Sequence, residues 1–272
     1  MRGTSRASLA AVKERLSAVL AGGQDGQANE LGGELFAVVG LLDREPGLRS
    51  ALSDPSRDQQ ARAGLVDALL ASQVSAPAVE LLTALVTLRW SGPGDLADAA
   101  EQLAVLAVAE SADRAGNLDE LEDELFRFGR IVQGNPDLRT ALSNQFVPAE
   151  GRRSVVTELV EGKVGDPALL LITQAAAHPR GRSLDAGLEM YADLAAELRE
   201  RLVAEVRVAV PLTADQRTRL AAALVAAYGH DVHLNVVLDP EVLGGMSVRI
   251  GDQLINGSVA SRLADLRRDL AA

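Results

Sequence analysis

A segment of twenty residues occurs twice in this chain, and this internal repeat restricts the fold more than any other feature. ELFAVVGLLDREPGLRSALS, Glu34–Ser53, recurs 90 positions later as ELFRFGRIVQGNPDLRTALS, Glu124–Ser143. Nine of the twenty aligned positions are identical, including the P-x-L-R-x-A-L-S run. Apolar residues at three- and four-residue spacing predict that the repeated unit is helical. We therefore expect two helical modules with the same internal arrangement.

Local signals predict where several helices begin. Asn117 with Glu120 three residues later is typical of a capping pair, and Asp166 before Pro167 predicts a helix start with the aspartate as its cap. The acidic run DELEDELF, Asp119–Phe126, is expected to lie on the solvated face of its helix.

The period of the pattern changes after the helical part of the chain. Val206, Val208 and Val210 alternate with other residues, which predicts a strand with one buried face. Thr213 and Gln216 form a capping pair that predicts a helix after this strand. Further strands and a final helix are predicted at Val232–Leu238, Met246–Ile250, Gln253–Ile255 and Ser258–Leu270. The predicted fold is mostly α, with tandem helical bundles followed by a small α/β domain.

Composition excludes some classes of function. The net charge of −11 argues against nucleic acid as a partner, because phosphate binding needs a basic face. The chain has no cysteine, which excludes disulfides and thiolate metal sites. No apolar run approaches the roughly 18 residues that a membrane span needs.

Neither the glycines nor the histidines predict a catalytic, cofactor-binding or metal site. Gly244-Gly245 is followed by strand residues, whereas a phosphate loop leads into a helix, so we expect a tight bend there. His230 and His233 have no third ligand in their neighbourhood, and a satisfied or solvated role is favoured over metal binding.

The C-terminal sequence resembles the δ subunit of F-type ATP synthase, also called the oligomycin-sensitivity-conferring protein. The resemblance runs through VHLNVVLDPEVLGGMSVRIGDQLINGSVASRLADLRRDL. One departure is Asn256, where the family commonly has Asp. The structural signature of the family falls on Asp239, Pro240, Gly244, Gly245, Gly251, Asp252, Gly257 and Ser258.

The resemblance, together with the repeat, predicts the domain organisation. From about Leu96 to the C-terminus the chain resembles one ordinary δ subunit, and the preceding residues are most of a second bundle, as in high-GC Gram-positive bacteria. We expect a first bundle over residues 1–112, a second over 95–205 with helix 95–112 shared, and a C-terminal domain over 206–272.

The resemblance implies a non-catalytic stator subunit, without cofactor, at the cytoplasmic face of the cell membrane and present as one copy per complex. It would bind the N-terminal helices of α subunits and the b-type peripheral-stalk subunit, and touch the membrane only through the complex. The α helices are expected between the first and fifth helix of each bundle, Ser5–Leu20 with Pro77–Trp90 and Asp95–Ala112 with Asp166–Ala177. Candidate partner-binding residues are Leu81, Leu85, Trp90, Leu103, Leu106, Leu170 and Thr173.

Two alternatives stay open from the sequence. A helical-repeat adaptor unrelated to ATP synthase would explain the duplication but not the C-terminal signature. An enzyme whose α/β domain binds a nucleotide would use the Gly244-Gly245 bend.

Overall fold

The structure, a computed structural model, describes residues 1, 3–21, 26–144, 146–201, 203–228, 233–239, 246–250 and 253–256. These residues form twelve helices and four strands. The contacts divide the chain into two units, Met1–Ala196 and Glu197–Ala272. The predicted domain limits at residues 95, 112 and 205 stay predictions. In the described residues, no helix is both long and apolar enough to cross a membrane.

The repeat is visible in the helix limits. In the first module α1 covers Gly3–Ala21, α2 Gln27–Arg44, α3 Pro46–Ser53, α4 Gln59–Leu70 and α5 Ala76–Thr87. In the second, α6 covers Pro93–Arg114, α7 Leu118–Gly134, α8 Pro136–Ser143, α9 Ala149–Val160 and α10 Asp166–Ala177. Helices α8, α9 and α10 begin and end 90 positions after α3, α4 and α5. The prediction of duplicated helical modules is confirmed.

Helix α6 packs against both modules. It contacts α1, α2, α3 and α5 on one side and α7 and α10 on the other. Nearly every residue between Leu96 and Val108 is buried as a result. The contact with α2 is close: a Cβ at Gly32 would lie 3.0 Å from the carbonyl oxygen of Ala104 and would overlap Val108. A helix placed between two modules explains why α6 has no wide polar face.

Proline and arginine have the same roles in the two modules. Pro46 and Pro136 each begin a short helix shortly after a longer one ends. Arg62 on α4 donates to the carbonyl of Leu88, and Arg152 on α9 donates to the carbonyls of Ala176 and Ala177. A buried guanidinium therefore closes the C-terminal end of the fifth helix in each module, where carbonyls have no partner within the helix.

The predicted caps of α7 and α10 are only partly confirmed. Asn117 is the N-cap residue of α7, but its side chain makes no capping hydrogen bond, because its backbone (φ −115°, ψ 19°) is not in the extended conformation that capping needs. Asp166 is the first residue of α10 and not its cap, which is Gly165. The fifth helix of the first module ends at Thr87 and not at Trp90, since Leu88 is extended.

The C-terminal unit contains a four-stranded sheet. Its strands are β1 Val203–Val208, β2 His233–Leu238, β3 Met246–Ile250 and β4 Gln253–Asn256. The strand order is β2-β1-β3-β4, with β1 parallel to β2 and antiparallel to β3, and with β3 antiparallel to β4. Helix α12, Ala214–Tyr228, connects the two parallel strands. Helix α11 covers Leu184–Arg201, and the division between the two units falls within it.

The sequence misplaced the first strand by a few residues. Ala204, Val206 and Val208 face the core together with Leu224 and Ile250, whereas Val210 is exposed beyond the end of β1. Alternation therefore starts at Ala204, a residue type that also suits a helix. The capping pair at the start of α12 is confirmed: the Thr213 amide donates to Gln216 Oε1 at 2.9 Å, and the Gln216 amide donates to Thr213 Oγ1 at 3.3 Å. The predicted helix at residues 258–270 lies outside the described residues.

Candidate partner-binding grooves

A cavity of the helical unit lies between α1 and α5, where the first and fifth helices of the first module meet. We call it groove A, and its volume is about 520 Å³. Arg15 on α1 and Glu80 on α5 form a 2.7 Å ion pair across it, with both side chains about half exposed. Groove A is lined by Arg15, Ala18, Val19, Leu20, Gln27, Ala28, Glu30, Leu31, Glu34, Ser75, Ala76, Pro77, Glu80 and Arg114.

A second groove occupies the equivalent place in the second module. Groove B, of about 440 Å³, lies between the C-terminal end of α6 and the N-terminal ends of α7 and α10. Seven of its lining residues are the repeat equivalents of groove A residues: Asn117, Glu120, Leu121, Glu124, Gly165, Asp166 and Pro167. Duplication has therefore preserved a concave surface as well as a fold.

In each groove, a glutamate on the second helix of the module accepts a hydrogen bond from the residue that precedes the fifth helix. In groove A, Glu34 accepts from the amide of Ser75 at 2.8 Å and from its hydroxyl at 2.6 Å. In groove B, Glu124 accepts from the amide of Gly165 at 3.0 Å. A carboxylate is favourable there because the N-terminus of a helix carries partial positive charge. Burial raises the pKa of Glu124, although the Gly165 amide opposes that shift.

The role of Glu124 corrects the prediction for DELEDELF. Glu124 is buried, so this run is not solvated throughout. The sequence signal that was available is the identity of Glu34 and Glu124 in the two copies of the repeat. An acid that is the same in both copies of a helix otherwise matched by apolar residues indicates a specific contact.

The two grooves differ in charge. Groove A has arginines as well as glutamates in its lining, whereas the described lining of groove B has four carboxylates and no lysine or arginine. The carboxylates of groove B belong to Glu30, Glu120, Glu124 and Asp166. An amphipathic helix that brings basic residues would suit groove B better than an acidic one.

Most candidate partner-binding residues belong to the core of the helical unit. Leu81, Leu85, Trp90, Leu103, Leu106 and Thr173 are all buried. These six side chains are part of the core, toward which the apolar stripes of α5, α6 and α10 point. Leu170 is half-buried and is the repeat equivalent of Glu80, which lines groove A. Contact of these residues with a partner stays a prediction.

A buried ion cluster connects the two modules near α11. Glu101 on α6 is 1% exposed and accepts from Arg180 Nη1 at 2.5 Å, from Arg182 and from the Tyr191 hydroxyl at 3.0 Å. Arg180 also pairs with Asp43 on α2 at 2.8 Å and with Asp98 at 3.0 Å. We call these six residues the interlock: Asp43, Asp98, Glu101, Arg180, Arg182 and Tyr191.

The interlock has the electrostatics of a structural joint. Burial opposes the charge on Arg180, but the carboxylates of Glu101, Asp43 and Asp98 outweigh it and raise the pKa of Arg180. Burial, and then Glu101, raise the pKa of Tyr191 well above its usual value. Arg180 adopts a positive φ of 50°, which is unfavourable for a residue other than glycine and is held by its three carboxylate partners. Sequence reasoning missed this cluster, although Glu101 within the apolar run of α6 was a visible signal.

The described part of the C-terminal signature is limited to Asp239. Its amide donates to the carbonyl of Val208 at 2.9 Å, and its carboxylate lies 3.8 Å from Arg207. These contacts fasten the end of β2 to β1. Pro240, Gly244, Gly245, Gly251, Asp252, Gly257 and Ser258 lie outside the described residues, so their predicted roles stay predictions. Asn256, the departure from the family pattern, is at the end of β4 and pairs with Ser247.

The described residues provide no group of three or more histidine, aspartate or glutamate side chains that could hold a metal ion. His178 follows α10, and burial, followed by the nearby Arg153, Arg44 and Arg152, lowers its pKa.

Comparison with known proteins supports the same family as the C-terminal resemblance. Residues 104–270 match the family model of the ATP synthase delta (OSCP) subunit. The chain is 49% identical to the ATP synthase subunit delta of Streptomyces avermitilis over 270 residues, which cover 99% of this chain and 98% of the relative. It is 45% identical to that of Thermobifida fusca, with both chains covered completely.

These full-length matches include the first module, which the family model leaves out. Residues before 104 therefore belong to the long form of the subunit that these relatives share. A chain of a cryo-EM structure of the Toxoplasma gondii mitochondrial ATP synthase hexamer is also similar, at 20% identity and a TM-score of 0.32 over 62% of this chain and 95% of the other. The extent and identity of the sequence matches decide the assignment: the chain belongs to the ATP synthase delta (OSCP) subunit family and is a structural, non-catalytic member of that complex.

Proposed function

We propose that grooves A and B each receive the N-terminal helix of one α subunit, while the C-terminal unit binds the end of the b-type stalk subunit. In this arrangement the chain holds the catalytic head still while the rotor turns. One copy serves each complex, at the cytoplasmic face of the cell membrane, and it reaches the membrane only through the complex. Nucleic acid is not a partner, in keeping with the net charge of −11.

The equivalence of the two grooves is the observation that supports this proposal. Seven lining positions correspond across the repeat, and each groove lies where the first and fifth helices of its module approach. A duplicated surface suits a partner that is present in several copies, as the α subunits are. Two linked sites also raise the effective concentration for the second binding event, so that two weak contacts give a durable joint.

The interlock gives this joint its stiffness. It ties Asp43 of α2 to Arg180 beyond α10, so a force on groove B reaches the first module through buried ion pairs. Breaking such a buried pair leaves an uncompensated charge, which opposes relative movement of the modules.

The number of bound peptides tests the proposal. Pro77 and Pro167 are equivalent, half-buried first-turn residues of grooves A and B. Aspartate is favourable in a first turn, so Pro77→Asp and Pro167→Asp should fold while placing a charge against an apolar ligand face. Calorimetric titration with a synthetic peptide of the α subunit N-terminus should give two sites in the native chain, one in each single variant and none in the double variant.

A control substitution separates a groove effect from a general charge effect. Ala61 is exposed in the first turn of α4 and lies outside both grooves, so Ala61→Asp should retain both sites. Titration with the C-terminal segment of the b-type subunit should be unaffected by all of these variants. A native chain that binds no α peptide, or variants that bind as the native chain does, would contradict the groove assignment.

A further inference from the structure

Two phenylalanines at equivalent positions of the repeat have opposite environments. Phe36 on α2 is 3% exposed, whereas Phe126 on α7 is 64% exposed. Phe36 packs against Tyr191 of α11, with ring centroids 6.1 Å apart. The first module thus has a neighbour on this face, namely the end of the second module. Phe126 lies on the equivalent face of the second module, and there its ring is exposed to solvent.

The surface around Phe126 is a groove between α7 and α11 with an apolar floor and an acidic edge. Its volume is about 440 Å³. Leu125 and Leu188 form the buried floor, and the guanidinium of Arg130 lies 6.0 Å from the centre of the Phe126 ring. We call this surface the Phe126 face; it is lined by Leu125, Phe126, Gly129, Arg130, Gln133, Asp185, Leu188, Glu189, Ala192 and Asp193.

The acids of the Phe126 face form a regular row. Asp185, Glu189 and Asp193 follow one another at four-residue spacing along α11, so they lie on one side of that helix. The positions 90 residues before the last two are Ala99 and Leu103 on α6, which are fully buried. One carboxylate oxygen of Asp185 is buried without a hydrogen-bond partner among the described residues. This Asp185 oxygen could accept a hydrogen bond from a partner, and Arg130 lies on the opposite helix, α7.

We propose that the Phe126 face binds a basic amphipathic helix of another subunit of the ATP synthase. The element that covers the equivalent face in the first module is a helix that contributes an aromatic ring, so a helix is the shape that this face accepts. A row of carboxylates beside an apolar floor is complementary to a helix with apolar anchors and with lysine or arginine at three- and four-residue spacing. This contact is distinct from grooves A and B, and it rests on the assignment of the chain to the complex.

Photo-crosslinking in the assembled complex tests this proposal. Phe126 is replaced by p-benzoylphenylalanine, which keeps an aromatic ring at the position, and the purified ATP synthase is irradiated and analysed by mass spectrometry. We expect a crosslink to a helical segment of another subunit that carries basic residues at three- and four-residue spacing. Phe146, which is 96% exposed at a different place in the helical unit, is the control site and should not give this product.

Charge reversal supplies the second arm of the experiment. Glu189→Lys with Asp193→Lys should lower the crosslink yield at Phe126 about five-fold or more, because complementary charges contribute to register and affinity. Glu150→Lys with Glu158→Lys changes the net charge equally on the exposed face of α9 and should leave the yield unchanged.

The outcomes separate this inference from the proposed function. Crosslinks that form only within this chain, only between two copies of it, or to a segment without basic residues would overturn the proposed occupant. An intact complex that gives no crosslink at Phe126 would show that the face is only a solvated end of the repeat. Failure of the chain to join the complex at all would contradict the stator assignment itself.

Discussion

The buried arginine of the fourth helix provides a stability test within one molecule. Arg152 donates four hydrogen bonds to backbone carbonyls, at 2.6 Å to Val147, 2.7 Å to Ala177, 2.8 Å to Ala176 and 3.2 Å to Asn144. Its repeat equivalent, Arg62, shows one such bond, at 3.1 Å to Leu88, and its Nε is buried without a partner in the described structure. The same residue thus closes two equivalent helix ends with different numbers of bonds.

Replacement by methionine keeps most of the side-chain volume and removes the donors. Arg152→Met orphans the buried carbonyls of Ala176 and Ala177 and two more in the preceding turn, and each orphaned buried group costs about 1–3 kcal/mol. Some of these carbonyls regain water, so we expect a loss of roughly 3–5 kcal/mol in the free energy of unfolding. Arg62→Met orphans one carbonyl, and the expected loss is roughly 1–2 kcal/mol.

Urea unfolding followed by far-ultraviolet circular dichroism measures both losses in the full chain. Arg152→Lys is a useful intermediate, since an ammonium can donate three bonds but cannot reproduce the planar geometry of a guanidinium. We expect its loss to fall between that of the native chain and that of Arg152→Met. A loss for Arg62→Met equal to or larger than that for Arg152→Met would refute the argument from hydrogen-bond number.

Three further predictions concern single sites in the helical unit. Gly32→Ala should destabilise the chain by roughly 1–3 kcal/mol because the new Cβ overlaps Val108. Gly33→Ala, where the new Cβ meets open space, should be neutral or stabilising. Thermal melts that rank the two variants in the other order would contradict this. Glu101→Gln should cost roughly 2–4 kcal/mol because it leaves two partly buried arginines under-compensated, and an unchanged urea midpoint would show that the interlock contributes nothing. The lowered pKa of His178 means that the folded state resists protonation, so the free energy of unfolding should fall as pH drops from about 7.5 to about 5.5, and His178→Gln should flatten that fall. An identical pH profile for the variant would show that His178 is not responsible.

Patterns within a helix or strand were readable from the sequence, and contacts between distant segments were not. The repeat predicted two helical modules with the same internal arrangement, and Thr213 with Gln216 predicted the start of α12. Asn117 makes no capping hydrogen bond, and Gly165 takes the cap position expected for Asp166, because the role of a residue at a helix end depends on backbone angles and on competing partners. The local spacing of residues contains no information on these backbone angles or partners.

The candidate site shows the same limit more clearly. The sequence placed a groove between the first and fifth helices but selected core residues such as Leu85 and Leu103 for it. Periodicity identifies which apolar side chains share one face of a helix. It does not tell whether that face packs against the module's own core or against a partner. The contrast between Phe36 and Phe126 needed the structure, because both belong to the same repeated E-L-F sequence.

Coupling between ATP hydrolysis and proton pumping tests the central claim most directly. Membranes that contain the complex are stripped of this subunit, and ATP-driven proton uptake and ATP hydrolysis are measured before and after the purified chain is added back. A non-catalytic stator joint predicts that removal abolishes proton uptake while the catalytic head continues to hydrolyse ATP, and that the purified chain restores uptake. Proton uptake that persists without the chain, or hydrolysis by the isolated head that requires it, would contradict the account.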